Sequence, residues 1–184
     1  DCDGKTVEYA NFSTGYAVNA TGVNNTVIRN CRVTQGNSSA LSSSGFYIRQ
    51  SNNTIIINNS INTTGNYSYG IEARISNFTN ASNNLINTTG NLSDGISSLQ
   101  SGLSNFTGNK FRLRSGNSIN ITSSDYNYVQ GNVMNGTLII SGSQGTTVTA
   151  NSFPASGITI QRSSNNSVIA YNNITVSTGG ISVS

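Results

Sequence analysis

Asn53-Thr-Ile-Ile-Ile-Asn-Asn-Ser-Ile61 is a run of β-branched residues that ends in Asn59, one polar residue and an apolar residue. The same pattern recurs to the end of the chain: an apolar residue, two further residues, an Asn, one residue and another apolar residue. Six Asn residues occupy the central position of the pattern: Asn59, Asn84, Asn109, Asn132, Asn151 and Asn172. Upstream, Cys31 lies at the equivalent position between Ile28 and Val33.

The spacing of this pattern indicates a solenoid. Successive central positions, from Cys31 to Asn172, lie 28, 25, 25, 23, 19 and 21 residues apart, within the range of periods found in solenoid repeats. Within each unit apolar residues alternate with period 2, as Ile158 and Ile160 do, so the units consist of short strands with one face turned inward. The sequence therefore predicts an all-β solenoid of about seven coils, whose parallel strands stack about 4.8 Å apart.

The repeated Asn has a physical role in such a stack. Each Asn lies directly above its counterpart in the next coil, so its side chain can hydrogen-bond to the amides of neighbouring coils. These bonds satisfy backbone groups that a sharp bend would otherwise leave without a partner. We therefore predict that the six Asn residues form a structural ladder.

Several longer pieces of the chain carry a family resemblance. They are Asp1-Cys-Asp-Gly-Lys-Thr-Val7, Asn25-Thr-Val-Ile-Arg-Asn-Cys31 and the repeated Gly-Ile and Asn-Asn-[Thr/Ser]-[Ile/Val] motifs. With them the chain resembles the right-handed parallel β-helix superfamily with the pectin-lyase-like fold, and within it the Asn- and Ser-rich repeats of archaeal and bacterial surface proteins. The resemblance implies a right-handed coil. It leaves the function open, because the superfamily includes lyases, hydrolases, tailspikes, adhesins and scaffolds.

The chain is expected to form a single domain, residues 1–184, because in a solenoid the stack itself is the domain. Residues 1–44 hold the first coils and the Cys pair, residues 45–117 the regular coils of 25 residues, and residues 118–184 shorter coils. Both ends of the sequence fall within a coil. We therefore expect the chain to be part of a longer protein or of a polymer.

The two cysteines, Cys2 and Cys31, are 29 residues apart, which is close to one turn of the coil. Stacking would place their Cα atoms about 5 Å apart, inside the range that a disulfide tolerates. We predict a Cys2–Cys31 disulfide, with two buried free thiols as the alternative. A disulfide would indicate an oxidising compartment.

The composition argues against several classes of function. The 184 residues include 30 Asn, 30 Ser and 20 Thr but no His or Trp, and only 8% of them are charged. Without His, the commonest general base and transition-metal ligand is missing, so we predict no metal site and no cofactor. A net charge of +3 is too small and dispersed for nucleic-acid binding. No apolar run approaches the roughly 18 residues of a membrane span.

One outward-facing group of residues is a candidate binding surface. Tyr47 and Arg49 are expected to stack on Glu72 and Arg74, a combination that can hold a sugar or an anion through guanidinium groups and an aromatic face. The alternative is a solvated strand face on which Glu72 offsets the arginines. Asp94 is expected about 11 Å from Glu72, beyond the roughly 5–9.5 Å that separates the carboxyl groups of glycosidases. We therefore predict no catalytic residues.

Asn-x-Ser/Thr sequons, the acceptor sites for N-linked glycans, are unusually frequent. Chance gives about 8 for this composition, and the chain has seventeen: Asn11, Asn19, Asn24, Asn37, Asn52, Asn58, Asn62, Asn66, Asn77, Asn80, Asn87, Asn91, Asn105, Asn120, Asn135, Asn165 and Asn173. Exposed turns can carry a bulky glycan. The best candidates are Asn62, Asn66, Asn87 and Asn91, which we expect in outer loops.

These observations favour a non-enzymatic, extracellular or cell-surface, glycosylated β-solenoid. We expect it to act as a subunit or segment of a surface filament, sheath or stalk, with its own copies stacked end to end as partners. The alternative is a carbohydrate- or receptor-binding adhesin or tailspike segment that binds through the outward face of Tyr47, Arg49 and Arg74. A polysaccharide lyase or hydrolase is less favoured, because the face carries few carboxylates.

Overall fold

The computed structural model describes residues 1–176 and 180–184, and these residues form short strands joined by turns, with no helix among them. The strands are, in chain order, β1 Thr6–Tyr9, β2 Val18–Thr21, β3 Val27–Arg29, β4 Arg32–Gln35, β5 Phe46–Arg49, β6 Ile55–Ile57, β7 Ser60–Thr63, β8 Ile71–Arg74, β9 Asn80–Ser82, β10 Leu85–Thr88, β11 Ile96–Leu99, β12 Asn105–Thr107, β13 Lys110–Leu113, β14 Ile119–Thr122, β15 Tyr128–Gln130, β16 Leu138–Ser141, β17 Thr147–Thr149, β18 Ser152–Phe153, β19 Ile158–Gln161, β20 Val168–Ala170, β21 Asn173–Ile174 and β22 Ile181–Val183.

The strands form three parallel sheets, and successive coils contribute one strand to each sheet in turn, except that one coil joins sheet A only through the bridge residue Val133. Sheet A has the order β1-β4-β7-β10-β13, and bridges through Val133 connect it to β18 and β21. Sheet B has the order β2-β5-β8-β11-β14-β16-β19-β22. Sheet C has the order β3-β6-β9-β12-β15-β17-β20. The predicted parallel β-solenoid of about seven coils is confirmed.

Apolar side chains from the three sheets fill the interior as columns. In sheet B, Phe46 pairs with Ile71 and Ile71 with Ile96, and all three are fully buried. Ile56 of sheet C and Ile61 of sheet A, the apolar residues of the repeated pattern, are buried as well. Because the period-2 alternation repeats in every coil, each added coil extends the same apolar core.

The turn that leads into sheet A accounts for the Asn-Asn pairs at 58–59 and 83–84. The first residue of the pair has a left-handed backbone, with φ of 56° at Asn58, 54° at Asn83 and 63° at the equivalent Gly108. Asn and Gly adopt this conformation more readily than other residues. The second residue of the pair is then positioned to stack on its counterpart in the next coil.

Cys2 and Cys31 form the predicted disulfide, with their Cα atoms 4.8 Å apart. Cys2 precedes β1 and Cys31 precedes β4, so the bond joins the first coil to the second. The Cα separation equals the expected spacing between stacked strands.

Removing this disulfide is expected to lower the free energy of unfolding by about 3–4 kcal/mol, because it restores the entropy of a long loop in the unfolded chain. The double variant Cys2→Ser, Cys31→Ser should therefore unfold at a lower guanidinium concentration than the oxidised parent. The reduced parent is the matched control and should behave like the variant. Equal midpoints for oxidised and reduced protein would contradict the prediction.

Candidate functional site

The six Asn residues of the repeated pattern form one continuous column of hydrogen bonds. At Asn109, Oδ1 accepts from the backbone nitrogen and from Nδ2 of Asn84, both at 3.0 Å. Nδ2 of Asn109 donates to the carbonyl oxygen of Ala81 at 2.8 Å and to Oδ1 of Asn132 at 3.1 Å. The same bonds recur at each step as far as Asn172. The column thus satisfies backbone groups in every coil that it crosses.

Serine columns at two other corners of the coil also satisfy backbone groups of neighbouring coils, and the repeated Asn pattern did not predict them. The backbone nitrogen of Ser51 donates to Oγ of Ser76 at 3.1 Å, and that of Ser76 donates to Oγ of Ser101 at 3.0 Å. A shorter column joins Ser43, Ser68 and Ser93. These serines recur at the spacing of the Asn column, which is the signal that could have revealed them.

The four residues of the predicted binding surface do lie together on sheet B. Tyr47 pairs with Glu72 and Arg49 pairs with Arg74 in adjacent strands. Glu72, however, is only 6% exposed. Its Oε1 contacts Nε of Arg74 at 2.6 Å, and its Oε2 accepts from Oγ of Ser44 at 2.6 Å. The interpretation of Glu72 as part of an exposed, solvated strand face was therefore wrong, because Glu72 is buried against Arg74 and against Ser44 of the preceding coil.

A pocket of about 280 Å³ opens beside this ion pair. Its lining residues are Tyr16, Ser42, Tyr47, Tyr67, Tyr69, Glu72 and Arg74. The rings of Tyr16 and Tyr47 stack with their centroids 4.6 Å apart and an angle of 10° between their planes. Burial raises the pKa of Tyr16, and the negative charge of Glu72 adds to this effect. Burial also raises the pKa of Tyr69, and the charges of Asp94 and Glu72 raise it further. These two hydroxyl groups therefore stay protonated at neutral pH.

Asp94, the second acid considered above, is buried and turns away from Glu72. Its Oδ1 accepts from the backbone nitrogen of Asn117 at 2.8 Å and from Nδ2 of Asn117 at 3.0 Å, and its Oδ2 accepts from Nδ2 of Asn120 at 3.0 Å. These partners belong to the following coil, whereas Ser44, the partner of Glu72, belongs to the preceding one. The two carboxylates are thus directed to opposite sides along the solenoid axis.

A family model described as a right-handed β-helix region matches residues 1–134. The chain belongs to the right-handed β-helix family. A comparison with curated proteins gives no match. Membership establishes the fold but not the activity, because the right-handed β-helix occurs in lyases and hydrolases as well as in proteins without enzymatic activity. Among the described residues, none belongs to a helix of the length and apolar character that a membrane crossing requires.

Burial raises the pKa of Asp94, although its hydrogen bonds to Asn117 and Asn120 partly offset this effect. Because the folded pKa lies above the unfolded one, Asp94 favours the folded state below its unfolded pKa of about 3.9. This contribution is lost as the pH rises through the folded pKa. We expect Asp94→Asn to remove this part of the pH dependence of the free energy of unfolding, measured by urea denaturation between about pH 3 and pH 7. The exposed Asp3 provides the control, Asp3→Asn. The same pH dependence of the free energy of unfolding in the parent, Asp94→Asn and Asp3→Asn would contradict the prediction.

The sequon asparagines of this β-helix differ in accessibility. Eleven are exposed: Asn11, Asn19, Asn24, Asn52, Asn58, Asn66, Asn77, Asn91, Asn105, Asn165 and Asn173. Six are half-buried: Asn37, Asn62, Asn80, Asn87, Asn120 and Asn135.

Of the four best candidates, Asn66 and Asn91 lie in exposed turns. Asn62 and Asn87 lie on β7 and β10 instead, where Nδ2 of Asn87 donates to Oδ1 of Asn62 at 3.0 Å. The expectation of outer loops was wrong for these two, because the strands of sheet A extend one residue beyond them.

The turn between sheets B and C supplies a structural reason for the sequons. Oδ1 of Asn52 accepts from the backbone nitrogen of Asn77 in the next coil at 2.9 Å. The middle residue of each triplet has a left-handed backbone, with φ of 57° at Asn53. The hydroxyl of the third residue, Thr54, donates to the carbonyl oxygen of Ser51 at 3.2 Å. This turn therefore favours Asn-x-Thr whether or not a glycan is attached.

Proposed function

We propose that this right-handed β-helix is a rigid, non-enzymatic structural element of an extracellular filament, sheath or stalk. The observation that carries the proposal is the Asn column, which links successive coils from Cys31 to Asn172 by hydrogen bonds that are buried at every step but the last. In a solenoid each coil contacts only its neighbours, so stiffness along the axis depends on such links between coils. Buried and fully paired polar groups also fix the register of the stack.

Two features support an extracellular location. The Cys2–Cys31 disulfide is of a kind that persists mainly in oxidising compartments. Exposed sequon asparagines such as Asn66 and Asn91 can carry N-linked glycans without disturbing the core. We include glycans on these outer turns in the proposal.

The proposal also includes end-to-end stacking of copies. Neighbouring strands of sheet B are parallel and keep the inward apolar residues in register, as Phe46 and Ile71 are. The same pairing between strands of two copies would continue the column from one copy to the next.

Electron microscopy and mass spectrometry of the native material test these statements. We expect filaments with an axial spacing of about 4.8 Å between coils, and hexose-containing mass increments on peptides that hold Asn66 or Asn91. Single particles at every protein concentration would contradict the filament. Unmodified peptides at all seventeen sequons would contradict glycosylation.

The absence of enzymatic activity is part of the proposal and has its own test. Both oxygens of Glu72 and both of Asp94 accept hydrogen bonds or ion-pair contacts, and the two groups diverge. We expect no new reducing ends or unsaturated products when the protein is incubated with a panel of polysaccharides. Products that form with the parent but not with the double variant Glu72→Gln, Asp94→Asn would overturn this part.

A further inference from the structure

Aromatic side chains are concentrated at one place on this β-helix. Four of the eight tyrosines of the chain line the pocket beside Glu72 and Arg74. Three successive coils contribute them: Tyr16 from the first, Tyr47 from the second, and Tyr67 with Tyr69 from the third.

The stack itself does not require these aromatic rings. The positions of sheet B that align with Tyr47 hold small or polar residues in several other coils, such as Asn19, Ser97 and Asn120. Tyr67 is 48% exposed, so the core does not use its ring. A cluster of partly exposed rings that the core does not use is typical of a ligand site.

The charges of the pocket indicate a neutral ligand. The carboxylate of Glu72 is paired with the guanidinium of Arg74, so the pair carries no net charge. The Arg74 side chain is still 45% exposed, which leaves N–H groups available at the pocket. The protonated tyrosine hydroxyls both donate and accept hydrogen bonds, so the pocket presents donors and acceptors side by side.

We propose that this pocket binds a neutral sugar residue of an oligosaccharide or polysaccharide, a role beyond the structural function proposed above. A sugar ring has apolar C–H faces that pack on tyrosine rings, and hydroxyl groups that both donate and accept hydrogen bonds. A purely apolar ligand would leave the remaining N–H groups of the half-exposed Arg74 guanidinium without acceptors. The volume of about 280 Å³ lies just below the roughly 300–1,000 Å³ range of ligand pockets, which suits a short segment of a sugar chain.

Isothermal titration calorimetry with defined oligosaccharides tests this proposal. The probes are cellohexaose, maltohexaose and mannohexaose as neutral chains, and hexagalacturonate as an acidic chain. We expect the parent protein to bind at least one neutral probe more tightly than the acidic one. Binding of the acidic probe alone, or of none of the four, would overturn the proposal.

Two matched variants show whether the binding takes place in this pocket. Tyr67→Ala should weaken binding of the neutral probe about tenfold, the effect of losing one aromatic contact. Tyr126→Ala is the control, because Tyr126 is also exposed, at 62%, has a similar φ of 57° and lies outside the pocket. Arg74→Gln, which removes the guanidinium, should also weaken binding, with thermal unfolding used to check the fold. Equal affinities for the parent, Tyr67→Ala and Arg74→Gln would overturn the assignment to this pocket.

Discussion

Replacing Asn109 by Ala is expected to lower the free energy of unfolding by about 3–6 kcal/mol, enough to unfold part or all of a typical domain. The substitution removes the acceptor for two donors of Asn84 and the donor for the carbonyl oxygen of Ala81. Asn84 and Asn109 are both 1% exposed, so water cannot easily replace the lost side chain. Each buried polar group left without a partner costs about 1–3 kcal/mol.

Chemical denaturation followed by circular dichroism measures this loss, and hydrogen exchange shows which coils open. Asn105→Ala is the control, because Asn105 is exposed and lies outside the column; its effect should stay within about 0.5 kcal/mol. Asn172 lies at the half-buried last step of the column. The loss of unfolding free energy in Asn172→Ala should therefore lie between the losses in Asn109→Ala and Asn105→Ala. Equal losses for Asn109→Ala and Asn105→Ala would show that the column does not hold the coils together.

Replacing Gly90 by Ala is expected to cost at least about 3 kcal/mol of unfolding free energy, through overpacking of the stack. A methyl group on Gly90 would overlap the carbonyl oxygen and carbon of Gly65 in the preceding coil. Both obstructing atoms belong to the backbone, so no side chain can rotate to make room. The two coils would have to separate, which would weaken the hydrogen bonds between β7 and β10.

Gly15→Ala is the matched control, because a methyl group at Gly15 would meet only the backbone nitrogen of Ala10, at 4.0 Å. Its unfolding free energy should stay within about 1 kcal/mol of the parent. The two variants are compared by thermal and denaturant unfolding. If Gly90→Ala were as stable as Gly15→Ala, close contact between the backbones of successive coils would not limit the residue at this position.

A rigid solenoid with a saccharide pocket on the outer face of sheet B would combine two roles in a surface fibre. The Asn and Ser columns would maintain the stack, and the tyrosine pocket would contact a sugar without any change in the core. The two roles can be separated experimentally. Asn109→Ala is expected to reduce stability, whereas Tyr67→Ala is expected to reduce sugar binding and leave the fold intact.

Sequence reasoning identified the Asn column but only part of the binding surface. Asn59 and Asn84 are recognisable because equivalent residues recur at the coil period. Tyr67 and Tyr69 precede β8 in a turn, and no periodic pattern indicates on which side of a turn a side chain lies. The burial of Glu72 depends on such turn residues from neighbouring coils, so alternation along its own strand could not reveal it.

The sequence by itself determined the coil period, the alternation of inward and outward residues on the strands, the Asn column and the cysteine pairing. These features are local patterns repeated at a nearly constant distance, and stacking brings equivalent positions together. Only the tertiary structure decided that Asn62 and Asn87 lie on strands, that Glu72 and Asp94 diverge, and that tyrosines from three coils share one pocket. The physical reason is that the direction of a turn side chain depends on its backbone angles and on its neighbours in the adjacent coils, which no repeat period specifies.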